Sequence, residues 1–188
     1  VTPGFGSPDT LVLILSDTAT LFVLATGLTF VIMVGGIDLS VHAIASLGSV
    51  LVALIVPEIG PVGAIAVALL SGLLSGVFSG FVHLRLRVPS FIATLATSGV
   101  VSAVALLVSD ERTITLGDQG RADLSWINDS LAGVPNIVIL GALVAAGGIF
   151  LQRYTAFGRY STAIGAGEAA AWASGIKVDR QKLIALVL

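Results

Sequence analysis

The chain has no cysteine, a single methionine and little charge: only 11% of its 188 residues are Asp, Glu, Lys or Arg. The missing cysteines exclude a disulfide framework and any thiolate metal site. The scarcity of charge excludes a water-soluble enzyme, because a soluble domain spends about a quarter of its residues on charge to cover its surface. Nine Lys and Arg stand against eleven Asp and Glu, a net charge of -2, so no basic surface exists for a polyanion and no nucleic-acid partner is expected. His42 and His83 lie far apart with no acid cluster at ligand spacing, so neither a metal site nor a catalytic grouping is expected. No glycine-rich phosphate loop follows a strand, so no nucleotide or other cofactor is expected on this chain.

What remains is apolar: 56% hydrophobic residues and a mean hydropathy of +1.06. Uncharged runs cover residues 18–37, 39–57, 59–82, 88–109 and 130–152, each near the ~20 residues that cross ~30 Å of hydrocarbon as a helix. A sixth run opens at Leu183 and continues to Leu188, while residues 11–15 are too short to span and read as an interfacial segment. The runs are continuously apolar rather than alternating, which excludes a β-barrel and leaves helices, the elements that satisfy their own backbone in lipid. The expectation is an all-α, polytopic membrane protein with about five full transmembrane helices and the start of a sixth. Residues 1–188 form one transmembrane domain, expected to be a piece of a longer protein because Leu188 falls inside an apolar run.

If the chain alternates at every span, Arg85, Arg87, Arg153, Arg159, Lys177, Arg180 and Lys182 share one side, and only Arg112 and Arg121 fall on the other. The positive-inside rule counts Lys and Arg, so the first side is expected to be cytoplasmic. Eight of the eleven acids, Asp9, Asp17, Glu58, Asp110, Glu111, Asp118, Asp123 and Asp129, fall on the other side. The acidic stretch 110–129, with Trp126 as an interface anchor, is then external: either a solvated connector or a docking surface.

Gly72, Gly76 and Gly80 recur every fourth residue beside Ser71, Ser75 and Ser79, a small-residue seam that predicts a closely packed neighbour helix. Ser90, Thr94, Thr97, Ser98 and Ser102 make the next span rich in hydroxyls, and Ser90, Thr94 and Ser98 are candidates for a solute path. Between the first two spans stand Gly35, Gly36, Asp38 and Ser40. The glycines suit a left-handed cap, and Asp38 or Ser40 suits the N-terminus of the next helix. Two readings stay open at this point, a capped turn or a discontinuous helix beside a transport pathway.

The stretch Gly36-Ile37-Asp38-Leu39-Ser40-Val41 resembles the GIDLSVG signature of permease subunits of bacterial ABC importers for ribose and related monosaccharides. Arg87-Val88-Pro89-Ser90-Phe91-Ile92-Ala93-Thr94-Leu95 is similar to the family's RVPSFIATL stretch. Phe157-Gly158-Arg159-Tyr160, Ala163-Ile164-Gly165, Glu168-Ala169-Ala170 and Ser174-Gly175-Ile176 follow its later motifs in order. His42, Gly167 and Trp172 depart from the pattern.

The resemblance implies a transporter subunit rather than an enzyme, seated in the inner (plasma) membrane of a bacterium. Its expected partners are an ABC ATP-binding subunit that hydrolyses ATP, a periplasmic or extracellular sugar-binding protein, and a second permease subunit, identical or not. Residues 153–182, where charge and glycine return, are expected to be a cytoplasmic coupling segment with a short helix from Ala169 to Ser174 closed by Gly175. The family resemblance assigns ATPase coupling to Gly158, Arg159, Gly165, Glu168, Ala169, Ala170 and Gly175. Rival solutes are branched-chain amino acids or nucleosides. A rival of another class is an ion-gradient transporter using Asp38 and His42.

Overall fold

Ser7 caps the first helix, its Oγ accepting from the Thr10 amide at 3.3 Å, and Pro8 takes the first turn, where a missing N–H leaves no bond unmade. The computed structural model describes residues 7–127 and 129–188; Val1 and the side chain of Asp9 lie outside the described residues. Helix α1 (Pro8–Met33) is one 26-residue rod, about 39 Å at 1.5 Å per residue. This corrects the expected span at 18–37 with a separate interfacial segment at 11–15. Asp17 is exposed, and a carboxylate in the outer half of a long helix reaches the interface without breaking it. A rod longer than the hydrocarbon is thick accommodates itself by tilting.

Helix α2 (Val41–Arg85) has 45 residues and non-helical backbone at Gly60 (φ 75°, ψ 174°), between Pro57 and Pro61. A straight rod of that length would reach about 67 Å, twice a bilayer core. Instead it folds back on itself. Ile44 Cγ2 stands 3.4 Å from where a Cβ on Gly72 would lie, and Ala68 Cβ stands 3.8 Å from the same point on Gly48. Both pairs centre on Glu58, so limbs 41–59 and 61–85 run antiparallel and each crosses once. Gly60 supplies the left-handed residue that a side chain would strain, and Pro61 lacks the N–H that would continue the ladder.

Helix α3 (Ser90–Val108) packs on α2 through Ala43, Leu47, Val101 and Ala105, and through a buried hydrogen bond from Ser79 Oγ to Thr97 Oγ1 at 2.9 Å. The neighbouring seam serines do not cross: Ser71 and Ser75 donate back to the carbonyls of Ala68 and Ser71. The acidic stretch is built rather than loose. It holds helix α4 (Asp118–Asp123), a 3-10 turn (Ser125–Ile127) and a hairpin of β1 (Ser130–Leu131) and β2 (Val134–Pro135). Ala132 and Gly133, both at positive φ, make the hairpin's two-residue turn. Leu116, Leu124 and Ile127 close over Val56 and Ala64 beside the Gly60 bend.

Helix α5 (Asn136–Tyr154) therefore starts six residues later than the expected span at 130, because the hairpin occupies 130–135. It runs parallel to α1: Gly141 faces Ala19 and Gly148 faces Thr26, seven residues on along both helices. At Thr155 the chain turns a corner into α6 (Ala156–Ala166), then α7 (Glu168–Ala173) and α8 (Val178–Val187). Helix α6 was not expected, since Gly158 and Gly165 lower helix propensity within it. Helix α7 ends at Ala173, one residue before the expected Ser174.

Helix α8 is the close neighbour that the glycine seam predicts. A Cβ on Gly76 would meet the Leu186 carbonyl, and one on Gly80 would meet Leu183 Cδ1. Gly76→Val is expected to cost about 1–3 kcal/mol by overpacking and to lower the folded yield in detergent several-fold. Unchanged yield and melting temperature would show that the seam does not hold α8.

The connections at 34–40, 86–89 and 155–177 gather at one end of the bundle, with seven of the nine basic residues, and the Gly60 bend and residues 109–135 lie at the other with Arg112 and Arg121.

Candidate functional site: the helix break and the elbow beneath it

At the end of α1, Gly35 takes φ 76° and its N–H donates to the Ile32 carbonyl at 2.9 Å, while the Gly36 N–H donates to the Val31 carbonyl at 2.9 Å. These two bonds are the Schellman closure that a glycine at this position permits. A Cβ on Gly36 would stand 2.9 Å from Val31 Cγ1, so the second glycine is required by space. Beyond it the backbone leaves the helix and needs other partners, because unpaired groups are costly near lipid.

Those partners come from α3. The Ile37 N–H donates to Ser90 Oγ at 3.0 Å and the Leu39 N–H to Thr94 Oγ1 at 3.0 Å, while Thr94 Oγ1 lies 3.3 Å from both the Ile37 carbonyl and its own helix's Phe91 carbonyl, which share its one proton. Asp38 Oδ1 accepts from the Ser40 N–H at 2.7 Å and from Ser40 Oγ at 2.6 Å. Five of the six amides from Gly35 to Ser40 are thus accounted for. Ser40 is the N-cap of α2, but Asp38 serves it through a local turn rather than by reaching into the first turn of the helix. One helical turn on, His42 Nε2 lies 3.3 Å from Ser98 Oγ.

The three candidate path residues and the helix-break residues are therefore one cluster. Ser90, Thr94 and Ser98 all face the break or the turn after it; Thr94 is fully buried. His83 supports the same corner. Its Nδ1 lies 2.6 Å from the Val88 carbonyl, and because a carbonyl only accepts, Nδ1 carries the proton.

The elbow formed by α6 and α7 sits beneath the break. Phe30, Val34, Ile164, Ala171, Val178 and Ala185 form one core, and the Phe30 and Phe157 rings lie 5.5 Å apart. A Cβ on Gly165 would strike the Met33 carbonyl, and one on Gly158 would strike the Gln152 carbonyl across the Thr155 corner. Glycine at both positions lets α6 lie directly against the last turn of α1 and fold tightly from α5. Gly175 (φ 83°) closes α7, its N–H donating to Trp172 and the Ile176 N–H to Ala171.

The seven coupling residues expected from the sequence thus divide by role. Gly158 is buried, Gly165 is exposed yet leaves no room for a Cβ against the Met33 carbonyl, and Gly175 makes the turn, whereas Arg159, Glu168, Ala169 and Ala170 are exposed. Trp172, 73% exposed, joins Glu168 and Ala169 along an open groove of about 900 Å³. Lys182 was missed by the sequence reading. Its Nζ lies 2.8 Å from Glu168 Oε2 and ties α7 to α8 across 14 residues, a spacing that no helical periodicity marks.

The sequence from residue 10 to residue 188 matches the family described as branched-chain amino acid transport system / permease component. The chain belongs to this permease family. It is a multi-pass, α-helical integral membrane protein. The ribose import permease protein RbsC of Haemophilus influenzae is 35% identical over 186 residues, covering 97% of this chain and 58% of that protein. RbsC of Escherichia coli K12 is 33% identical over 187 residues (98% and 58%), and RbsC of Bacillus subtilis 37% over 183 residues (97% and 57%). The chain spans less than three-fifths of the length of these relatives. No solved structure matches it. The cluster has the form of a capped turn between two spans, at the end of the bundle that holds most of the basic residues, with its backbone satisfied by protein.

Proposed function

We propose that this permease moves a monosaccharide of the ribose type across the bacterial inner membrane as the membrane subunit of an ATP-driven importer. The observation that carries the proposal is the elbow. A six-residue helix closed by Gly175, with one exposed face, rests through Gly165 on the end of a transmembrane helix that leads straight into the break. Such a rigid projection at the arginine- and lysine-rich end is suited to receive a push from a partner and to pass it into the membrane. The names of the relatives support the solute class.

In this reading residues 153–182 are the cytoplasmic coupling segment. Arg159, Glu168, Ala169 and Ala170 touch a separate subunit that hydrolyses ATP, while Gly158, Gly165 and Gly175 shape and seat the elbow. The sugar arrives on a soluble binding protein that docks over the acidic stretch 110–129, and a second permease subunit completes the solute path. The break at Gly35, Gly36, Asp38 and Ser40, with Ser90, Thr94 and Ser98 against it, borders that path.

The test is reconstitution of the full-length protein with its ATPase and binding-protein partners in proteoliposomes, following labelled ribose, leucine and adenosine. Ribose uptake that requires ATP and is indifferent to membrane potential is the expected result. Uptake that follows membrane potential without ATP would transfer the chain to the ion-gradient class, and ATP-driven uptake of leucine or adenosine alone would overturn the sugar assignment.

A further inference from the structure

We propose that Ser90 and Thr94 are positioning residues that latch the helix break to α3, so that a displacement of the elbow is delivered to α3 through the backbone of residues 35–39. The inference rests on the coupling reading above and extends it inward, from the elbow to a specific pair of hydroxyls.

The input side of the latch is stiff. Gly165 lies directly on the Met33 carbonyl and the Phe157 ring packs at a tilt against Phe30, so α6 cannot move without moving the last turn of α1. The Schellman bonds from Gly35 and Gly36 to Ile32 and Val31 then fix the start of the break to that turn. The output side is a matched pair of rows. Ser90 and Thr94 are four residues apart on α3, and they hold the amides of Ile37 and Leu39, two residues apart in the break. Four residues of helix advance about 6 Å and two residues of extended chain about 6.6 Å, so the hydroxyls and the amides stay in register.

Most hydroxyls in these helices bond back to their own helix, as those of Thr26, Thr29, Ser71 and Ser75 do. Ser90 and Thr94 also accept from backbone 53 and 55 residues earlier in the chain, Thr94 while its hydroxyl stays within 3.3 Å of its own helix's Phe91 carbonyl. Asp38, turned onto Ser40, keeps the segment between them from relaxing into another turn. A second route from the break to α3 exists through α2, where Ser79 meets Thr97. The proposal assigns the transmission to the hydroxyl latch.

The experiment uses the full-length permease assembled with its ATP-hydrolysing and binding-protein partners. Cysteines replace Val62 and Leu107, exposed residues on the second limb of α2 and on α3, in a permease cleared of any other cysteine, and carry spin labels. A nucleotide-dependent change in the label distance is expected in the parent. In S90A/T94V the change is lost and sugar uptake per ATP hydrolysed falls about tenfold, within the range of couplings between protein sites. Thr94→Ser, which keeps the hydroxyl, is expected to retain both.

Amide hydrogen exchange at Leu39 in the single variant Thr94→Val, which removes one hydroxyl only, reports whether the latch bond is gone in a folded protein. A label distance that still responds to nucleotide in S90A/T94V, with Leu39 exchange accelerated, overturns the latch and favours the route through α2. A parent that shows no nucleotide response overturns it as well. A parent in which the labels move while sugar uptake ignores ATP would instead overturn the solute assignment and leave the latch standing.

Discussion

Gly175→Pro is expected to abolish ATP-driven uptake by the assembled transporter while the chain remains inserted and the ATPase continues to turn over. Gly175 sits at φ 83° and donates its N–H to Trp172 at 2.9 Å. Proline fixes φ near -65° and has no N–H, so it can adopt neither feature, and it also disfavours the helical backbone that Ser174 shows (φ -83°, ψ 6°). The turn must open, and with it goes the bond from the Ile176 N–H to Ala171, one of the core residues of the elbow. Helix α7 has only six residues and no stability of its own apart from this closure and its packing. Gly175→Ala keeps the N–H and costs about 1–2 kcal/mol for the left-handed backbone, so it should reduce uptake without abolishing it. The check is the ratio of sugar imported to ATP hydrolysed in proteoliposomes, with insertion followed by protease protection. A proline variant with the parental ratio would remove α7 from the coupling path.

The spans were legible because lipid enforces a simple rule: an uncharged run of about twenty residues has few structures available to it. Runs 39–57 and 59–82 came out as separate crossings although the helical backbone passes through Glu58 almost unbroken, because Pro57, Gly60 and Pro61 mark the bend locally. The boundaries at Asp17 and at residue 130 were less legible. Charge alone does not end a helix at the interface, and the hairpin at 130–135 is written in the Ala132-Gly133 turn rather than in hydropathy.

The site was legible in its identities and illegible in its pairings. Gly35 and Gly175 were readable as left-handed closures because the constraint is local, whereas Gly36, expected to share that role, is held by the space beside Val31. That Ser90 and Thr94 would serve the break could not be read. Serine and threonine in an apolar helix usually bond to their own carbonyls, and only the packing of α3 against the break brings these two hydroxyls the amides of Ile37 and Leu39 as well. Gly158 and Gly165 carried the right labels for another reason. They are grouped with the coupling motif, yet what selects glycine there is contact with the carbonyls of Gln152 and Met33.

Glu168→Arg is expected to uncouple transport from hydrolysis more severely than loss of an exposed carboxylate would suggest, and a second substitution at Lys182 should restore it. Glu168 is 58% exposed at its side chain and Lys182 only 16%, so the pair is half in water. As a free-standing surface bridge it would be worth no more than about 1 kcal/mol. Its geometry gives it more consequence than its energy, because among the described residues it is the only ion pair that joins α7 to the helix entering the membrane at α8. Arginine at 168 places two cations at the same point, repelling α7 from α8 at the step where the elbow must move as one body. The reversed pair, Glu168→Lys with Lys182→Glu, should recover most of the parental ratio of sugar moved to ATP hydrolysed, whereas Lys182→Met should resemble neither single reversal and lose only part of it. This double-mutant cycle separates the pairing from the separate roles of the two residues. If the reversed pair is no better than the sum of its single changes, the link between α7 and α8 is carried by the core around Ala171 and Val178, and Glu168 acts only on the partner that docks against it.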